Sequence, residues 1–127
     1  MACARCESAM VDVAVPESLQ SYAPADSVSV CTNCLTIEPA DGGGAAGDLD
    51  AISEELPEGD AGVGTLLLVD LLDSLATNRA DIEGLIDELE AEGADPMLAL
   101  DRLASEPGLD PAVNIDRRRT QLEQLVL

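Results

Sequence analysis

Cys3-Ala4-Arg5-Cys6 and Cys31-Thr32-Asn33-Cys34 are two Cys-x2-Cys pairs separated by 24 residues, and together they hold every cysteine of the 127-residue chain. Two residues between cysteines let one tight turn offer both sulfurs to a single ion while backbone N–H groups point at the thiolates. Two such turns, brought together by paired strands, close a tetrahedral S4 shell with arms of about 2.3 Å. The usual intervening length is about 15–20 residues. A slightly longer loop costs little, because closure entropy grows slowly with length. The spacing therefore predicts that Cys3, Cys6, Cys31 and Cys34 bind one metal ion.

Three other readings of four cysteines fit less well. Disulfides belong to oxidising compartments, and Met1 is followed by Ala-Cys-Ala-Arg-Cys with no apolar leader segment. A redox Cys-x2-Cys needs a βαβ setting and commonly one pair. Inert buried cysteines would not fall into two matched pairs. Size favours the metal independently. A segment of about 40 residues with few large apolar groups needs a staple to hold it together. Structural zinc supplies about 10–16 kcal/mol to such peptides near neutral pH.

Outward from the cysteines, Val11, Val13 and Val15 alternate with Asp12 and Ala14, a strand stopped by Pro16. Residues 17–26 read as a loop or one helical turn. Val28 and Val30 form a second strand running into Cys31, and Leu35 and Ile37 flank Thr36 in a third, ended by Pro39. The stretch 41–62 is an acidic, glycine-rich linker, with Leu49, Ile52 and Leu56 spaced for a short helix. Four helices follow. Leu66 to Leu75 form the first, with Asp70, Asp73 and Ser74 on its wet side. Asn78 and Asp81 make a box-like cap for a second, striped by Ile82, Leu85, Ile86 and Leu89 and stopped near Gly93. Asp95-Pro96 and Asp110-Pro111 are matched helix starts. Met97, Leu100 and Leu103 line the third helix, and Leu122, Leu125 and Val126 face inward from the fourth. The expected fold is α+β: a zinc-ribbon-like module at 1–40, a linker at 41–62 and a helical bundle at 63–127. With a flexible linker between them, loss of the metal is expected to unfold residues 1–40 and spare much of the helicity.

Composition narrows the function. Twenty-six acidic residues face six arginines, giving a net charge of −20, and there is no Lys, His, Phe or Trp. Ser-His and Cys-His nucleophile pairs and imidazole metal ligands are excluded. Tyr22 alone cannot form a base-stacking platform, and the charge opposes binding to a phosphate backbone. The acid is spread along the chain, −4 over residues 1–40, −7 over 41–60 and −9 over 61–127. That distribution, with Arg as the sole cation, reads as a surface built for concentrated salt, where self-repulsion is screened. The longest apolar block, Leu66 to Val69, is far short of a membrane span. A soluble, cytoplasmic protein without membrane contact is expected.

The first forty residues resemble the zinc-ribbon class, and more weakly the knuckles of rubredoxin-type sites. Those families place Gly after the second cysteine of a knuckle to permit a positive φ; here Glu7 and Leu35 stand there. Rubredoxin-type iron sites also sit among aromatic residues, which this chain lacks, so Zn2+ is favoured over iron. The cysteine pairs and the tail DPMLALDRLASEPGLDPAVNIDRRRTQLEQL (residues 95–125) resemble a group of short haloarchaeal proteins without an assigned activity. This resemblance implies a halophilic source and a fold style, and no reaction.

Remaining motifs carry less. Arg117-Arg118-Arg119 point to different helix faces and are expected to pair with Asp116, Glu123 or Asp110 rather than with nucleic acid. Glu54-Glu55 and Asp87-Glu88 are adjacent, so neither pair can converge on one substrate atom from a helix. Gly42-Gly43-Gly44 lacks the strand and Lys of a phosphate cradle. The expectation is a non-enzymatic zinc-binding adaptor with a protein partner. A nucleic-acid-associated accessory factor is the alternative.

Overall fold

A computed structural model describes residues 3, 5–40, 49, 52–54, 56–57 and 59–126, the side chain of Val126 excepted. The architecture is α+β. Three strands, β1 (Met10–Ala14), β2 (Ser27–Cys31) and β3 (Ile37–Pro39), form an antiparallel sheet in the order β1-β2-β3. A 3-10 helix at Glu17–Tyr22 fills the connection from β1 to β2. Four helices follow: α1 (Asp60–Leu72), α2 (Arg79–Ala91), α3 (Pro96–Ala104) and α4 (Ile115–Val126). The register pairs Met10 with Cys31 and Val13 with Val28, so the hairpin carries the second cysteine pair back beside the first.

The alternation of valines delivers what it predicts. Val13, Val15, Val28 and Val30 are buried on one face of the sheet. The third strand lies two residues later than expected, because Leu35 turns at φ 63° before the chain extends. Pro39 lies within this edge strand rather than after it. Much of the expected linker lies outside the described residues, but Ile52 and Leu56 within it are buried in the core.

The first helix starts six residues earlier than its leucines suggest, at Asp60, and stops at Leu72. It is buried continuously from Gly62 to Val69, as expected of a helix surrounded on all sides. Asn78 does not cap α2 through its side chain. Its amide Nδ2 instead donates to the Leu71 carbonyl at 3.1 Å, closing the end of α1. Asp95 does cap α3, accepting from the Leu98 amide at 3.1 Å with Pro96 in the first turn. Asp110-Pro111 starts no helix. Here Asn114 takes that role, its Oδ1 accepting from the Arg117 amide at 3.1 Å, and α4 begins at Ile115. Leu122 is buried, but Leu125, expected inward, is exposed.

Sheet and helices share one hydrophobic core, in which Val13, Leu19, Val28 and Leu35 join Leu66, Leu72, Leu85 and Leu100. Two glycines make the joint close. A Cβ on Gly64 would stand 2.6 Å from Leu89 and 3.4 Å from Leu19, and one on Gly84 would stand 2.6 Å from the Tyr22 hydroxyl. The 3-10 helix therefore packs directly on the helical part, and the expected independence of residues 1–40 does not hold at the level of packing. Leu19→Ala is expected to cost about 2–5 kcal/mol. In urea denaturation the midpoint followed by helical circular dichroism should fall with it, whereas a separately folded bundle would keep its midpoint.

Candidate metal centre

The two cysteine turns are geometric twins. In the first, the Cys3 amide donates to the Ser8 carbonyl at 2.8 Å; in the second, the Cys31 amide donates to the Thr36 carbonyl at 3.0 Å. The amide two residues after the first cysteine points at its sulfur in both, Arg5 N to Cys3 Sγ and Asn33 N to Cys31 Sγ, each 3.4 Å. The residue after the second cysteine takes the same left-handed conformation in both, φ 63° at Glu7 and at Leu35. Families with Gly at this point avoid the steric cost of a Cβ there. In this chain Glu7 points into solvent, while Leu35 is buried in the core.

The β1–β2 register, extended by Thr32 donating through its amide and hydroxyl to the Ala9 carbonyl, sets the turns face to face. Sequence reasoning named Cys3, Cys6, Cys31 and Cys34, and the structure brings all four together, their sulfurs within 4.8 Å of one another. Individual separations are 3.3 Å for Cys6–Cys31, 3.7 Å for Cys6–Cys34 and 3.8 Å for Cys3–Cys34. A regular tetrahedron with arms of about 2.3 Å has edges of about 3.8 Å. A disulfide needs about 2.05 Å, and all four cysteines are free. The donor set thus fits one four-coordinate metal ion.

Proton affinities within the cluster are pushed apart. Hydrogen bonds from the Ser8 hydroxyl and amide, and then from Cys31, lower the Cys6 thiol to about 6. Burial raises Cys31 to about 12. The Thr36 hydroxyl lies 3.0 Å from Cys34 Sγ. A hydroxyl residue two places after the second cysteine, Ser8 and Thr36, is thus common to both turns. That pattern is visible in the sequence, although the spacing argument overlooks it.

Another contributor leaves no sequence signal. The segment between α3 and α4 lies against the second turn, with the Asp110 amide donating to the Asn33 carbonyl and the Ala112 amide to the Cys34 carbonyl, both at 2.9 Å. The strap includes Asp110-Pro111, which starts no helix, and α4 begins only at Ile115. A cleft of about 150 Å3 lies beside it, lined by Arg5, Thr36, Asp70, Asp73 and Val113 among others. Burial, and then Asp73, raise the Asp70 carboxyl above the usual range. The arginine run lies elsewhere. Arg119 bridges Glu123 at 2.9 Å and Asp101 on α3 at 3.6 Å, and Arg118 donates to Gln121 at 3.2 Å. Of the partners expected for the run, Glu123 is found; Asp101 and Gln121 replace the others.

Since Glu7 is exposed, Glu7→Gly should relieve the left-handed turn and raise the melting free energy by about 0.5–1 kcal/mol. Leu35→Gly would relieve the same backbone but lose a buried side chain, at a net cost of about 2 kcal/mol or more. Thermal denaturation of the two variants should move in opposite directions.

Among the described residues, no helix is long and apolar enough to cross a membrane. No curated protein and no solved structure matches this chain. The four-cysteine turns, the sheet and the helices that pack on it all fall within one match, residues 2–126, and the chain belongs to the DUF6276 family, a family of unknown function.

Proposed function

We propose that Cys3, Cys6, Cys31 and Cys34 hold one structural Zn2+, and that the protein is a non-enzymatic interaction module organised around it. The observation that carries this reading is the close approach of four sulfurs at tetrahedral spacing, held by two equivalent turns. Four thiolates are a soft donor set that suits zinc, and a closed S4 shell leaves no coordination position for water or substrate. The absence of aromatic residues other than Tyr22 favours zinc over iron. A protein partner is favoured over nucleic acid by the charge of −20 and by the arginines, two of the three in the run being tied to neighbours on the helices. The same acidic surface supports a cytoplasm of concentrated salt as the working environment.

Elemental analysis of reduced protein should find one zinc per chain; less than half an equivalent of any metal would sink the site. Because the strap and the shared core tie the helices to the second turn, a chelator should lower helicity as well as disorder residues 1–40. Backbone hydrogen exchange at Asp110 and Ala112 should quicken early. Immobilised zinc-loaded chain in molar KCl is expected to retain one protein in stoichiometric amount. Retention of DNA or RNA instead would move the reading to a nucleic-acid-associated factor.

Salt supplies a separate test. Diluting KCl from 1 M to 0.1 M lengthens the screening distance from about 3 Å to about 10 Å. Helicity should fall over that range, and full helicity at 0.1 M would contradict the halophilic reading while leaving the zinc site untouched.

A further inference from the structure

Two residues that the helical stripes assign to the core are only partly covered. Ile86 of α2 and Met97 of α3 are half-buried, whereas their stripe partners Ile82, Leu85, Leu89, Leu100 and Leu103 are fully buried. With Pro96 they floor a groove of about 290 Å3 between α2 and the start of α3, and Asp87, Glu90 and Asp95 stand on its rim. No cation of the described residues pairs with these three carboxylates. Glu83, further along the rim, already meets Arg79 at 3.4 Å. Leu98, one of two exposed large apolar side chains among the described residues, follows directly after Met97.

We propose that this groove docks a cationic segment of a partner protein, with a Lys or Arg whose aliphatic stem lies on Ile86, Pro96 and Met97 and whose charge meets Asp87, Glu90 and Asp95. The proposal rests on the interaction-module reading and supplies the chemistry of its partner. An apolar floor under an anionic rim is complementary to a side chain with an apolar stem and a positive tip. Methionine adds a surface that adapts to the shape laid on it. The charge of the chain favours another kind of molecule as the source of the cation. The chain has no Lys, and Arg79, Arg118 and Arg119 are engaged on its own helices. A second copy would bring another −20 against the first. Nucleic acid would place phosphates against the same carboxylates.

The test uses the whole zinc-loaded chain and a blocked Leu-Arg-Leu-Arg-Leu peptide, with Leu-Gln-Leu-Gln-Leu as control, in KCl sufficient for full helicity. The Arg peptide should bind saturably, shift amide resonances of residues 83–90 and 95–98, and outbind the Gln peptide. Asp87→Asn/Glu90→Gln and Met97→Ser should each weaken it about tenfold, equivalent to about 1.4 kcal/mol. Glu17→Gln/Asp116→Asn makes the same charge change at exposed sites elsewhere and should alter affinity less than about twofold if the effect is local, given screening. Equal weakening by both double variants would mean diffuse attraction to an acidic surface and would overturn the proposal. So would resonance shifts centred elsewhere, or no saturable binding. Circular dichroism of each variant separates lost binding from lost folding, and the Gln and Asn changes at exposed carboxylates keep the test open should Met97→Ser fail to fold. A partner retained by wild type and equally by Asp87→Asn/Glu90→Gln would overturn the groove and leave the interaction-module reading standing. A chain that retains no protein in molar KCl, yet binds the Arg peptide in the groove, would remove that reading while the groove chemistry stood.

Discussion

Four sulfurs within 4.8 Å cannot all be thiolates without a cation among them. Like charges about 4 Å apart repel by about 4 kcal/mol per pair in the polarisable surroundings typical near a protein surface. With protons, the cluster is a set of weakly hydrogen-bonded thiols; with a metal, it is a rigid corner from which the strands start. The turns are already arranged for the second condition, since their amides at Arg5, Asn33 and Cys34 point at sulfur. The left-handed residues Glu7 and Leu35 show that the backbone tolerates an unfavourable local shape to achieve this. What lies downstream inherits that corner: the strand register sets Val13 opposite Val28 in the core that the sheet shares with the helices, and α1 contacts each of the other three helices.

Legibility in the sequence follows the range of the interactions involved. Cysteine spacing, valine alternation and the Asp95 cap are local, and each can be read within a few residues. The two Asp-Pro pairs separate because of something distant. At Asp95 the carboxylate caps its own helix, whereas the backbone from Asp110 to Ala112 lies along the second cysteine turn, bonded to Asn33 and Cys34 far away along the chain. Asn78 has the composition of an N-cap, yet its amide finds the open carbonyl at the end of the preceding helix. Leu125, near the end of α4, is exposed although Leu122 three residues before it is buried, a difference that the periodicity of the helix alone does not show. Nothing local marks the glycines at 64 and 84, which are contact points where Leu89 and Tyr22 leave no room for a Cβ.

The charge distribution and the core answer different demands. Every layer of the interior is Leu, Val and Ile, side chains that pack without hydrogen-bond obligations, and the only buried polar residues among those described are Ser29, Ser53 and Thr65. Thr65 satisfies its hydroxyl within its own helix at Ala61, and Ser29 donates to Asp12 across the hairpin. Apart from the half-buried Asp70, most carboxylates are left at the surface, where ionic strength governs their mutual repulsion. Arg119 is half-buried, and it links α3 to α4 through carboxylates on both.

The shared core also sets an order of events during synthesis. The cysteine turns and the hairpin lie within the first forty residues and need only short loops to close, so their pairing can precede the packing of the helices. Their apolar face, with Val13, Leu19 and Val28, has no cover until α1 follows, and Leu19 meets Gly64 only then. At about 5–20 residues per second, this leaves an interval of seconds in which a nascent hairpin would present bare valines. The acid-rich stretch at 41–60, with seven carboxylates and no cation, emerges in that interval. Seven like charges there would repel a neighbouring nascent chain until the leucines of α1 arrive.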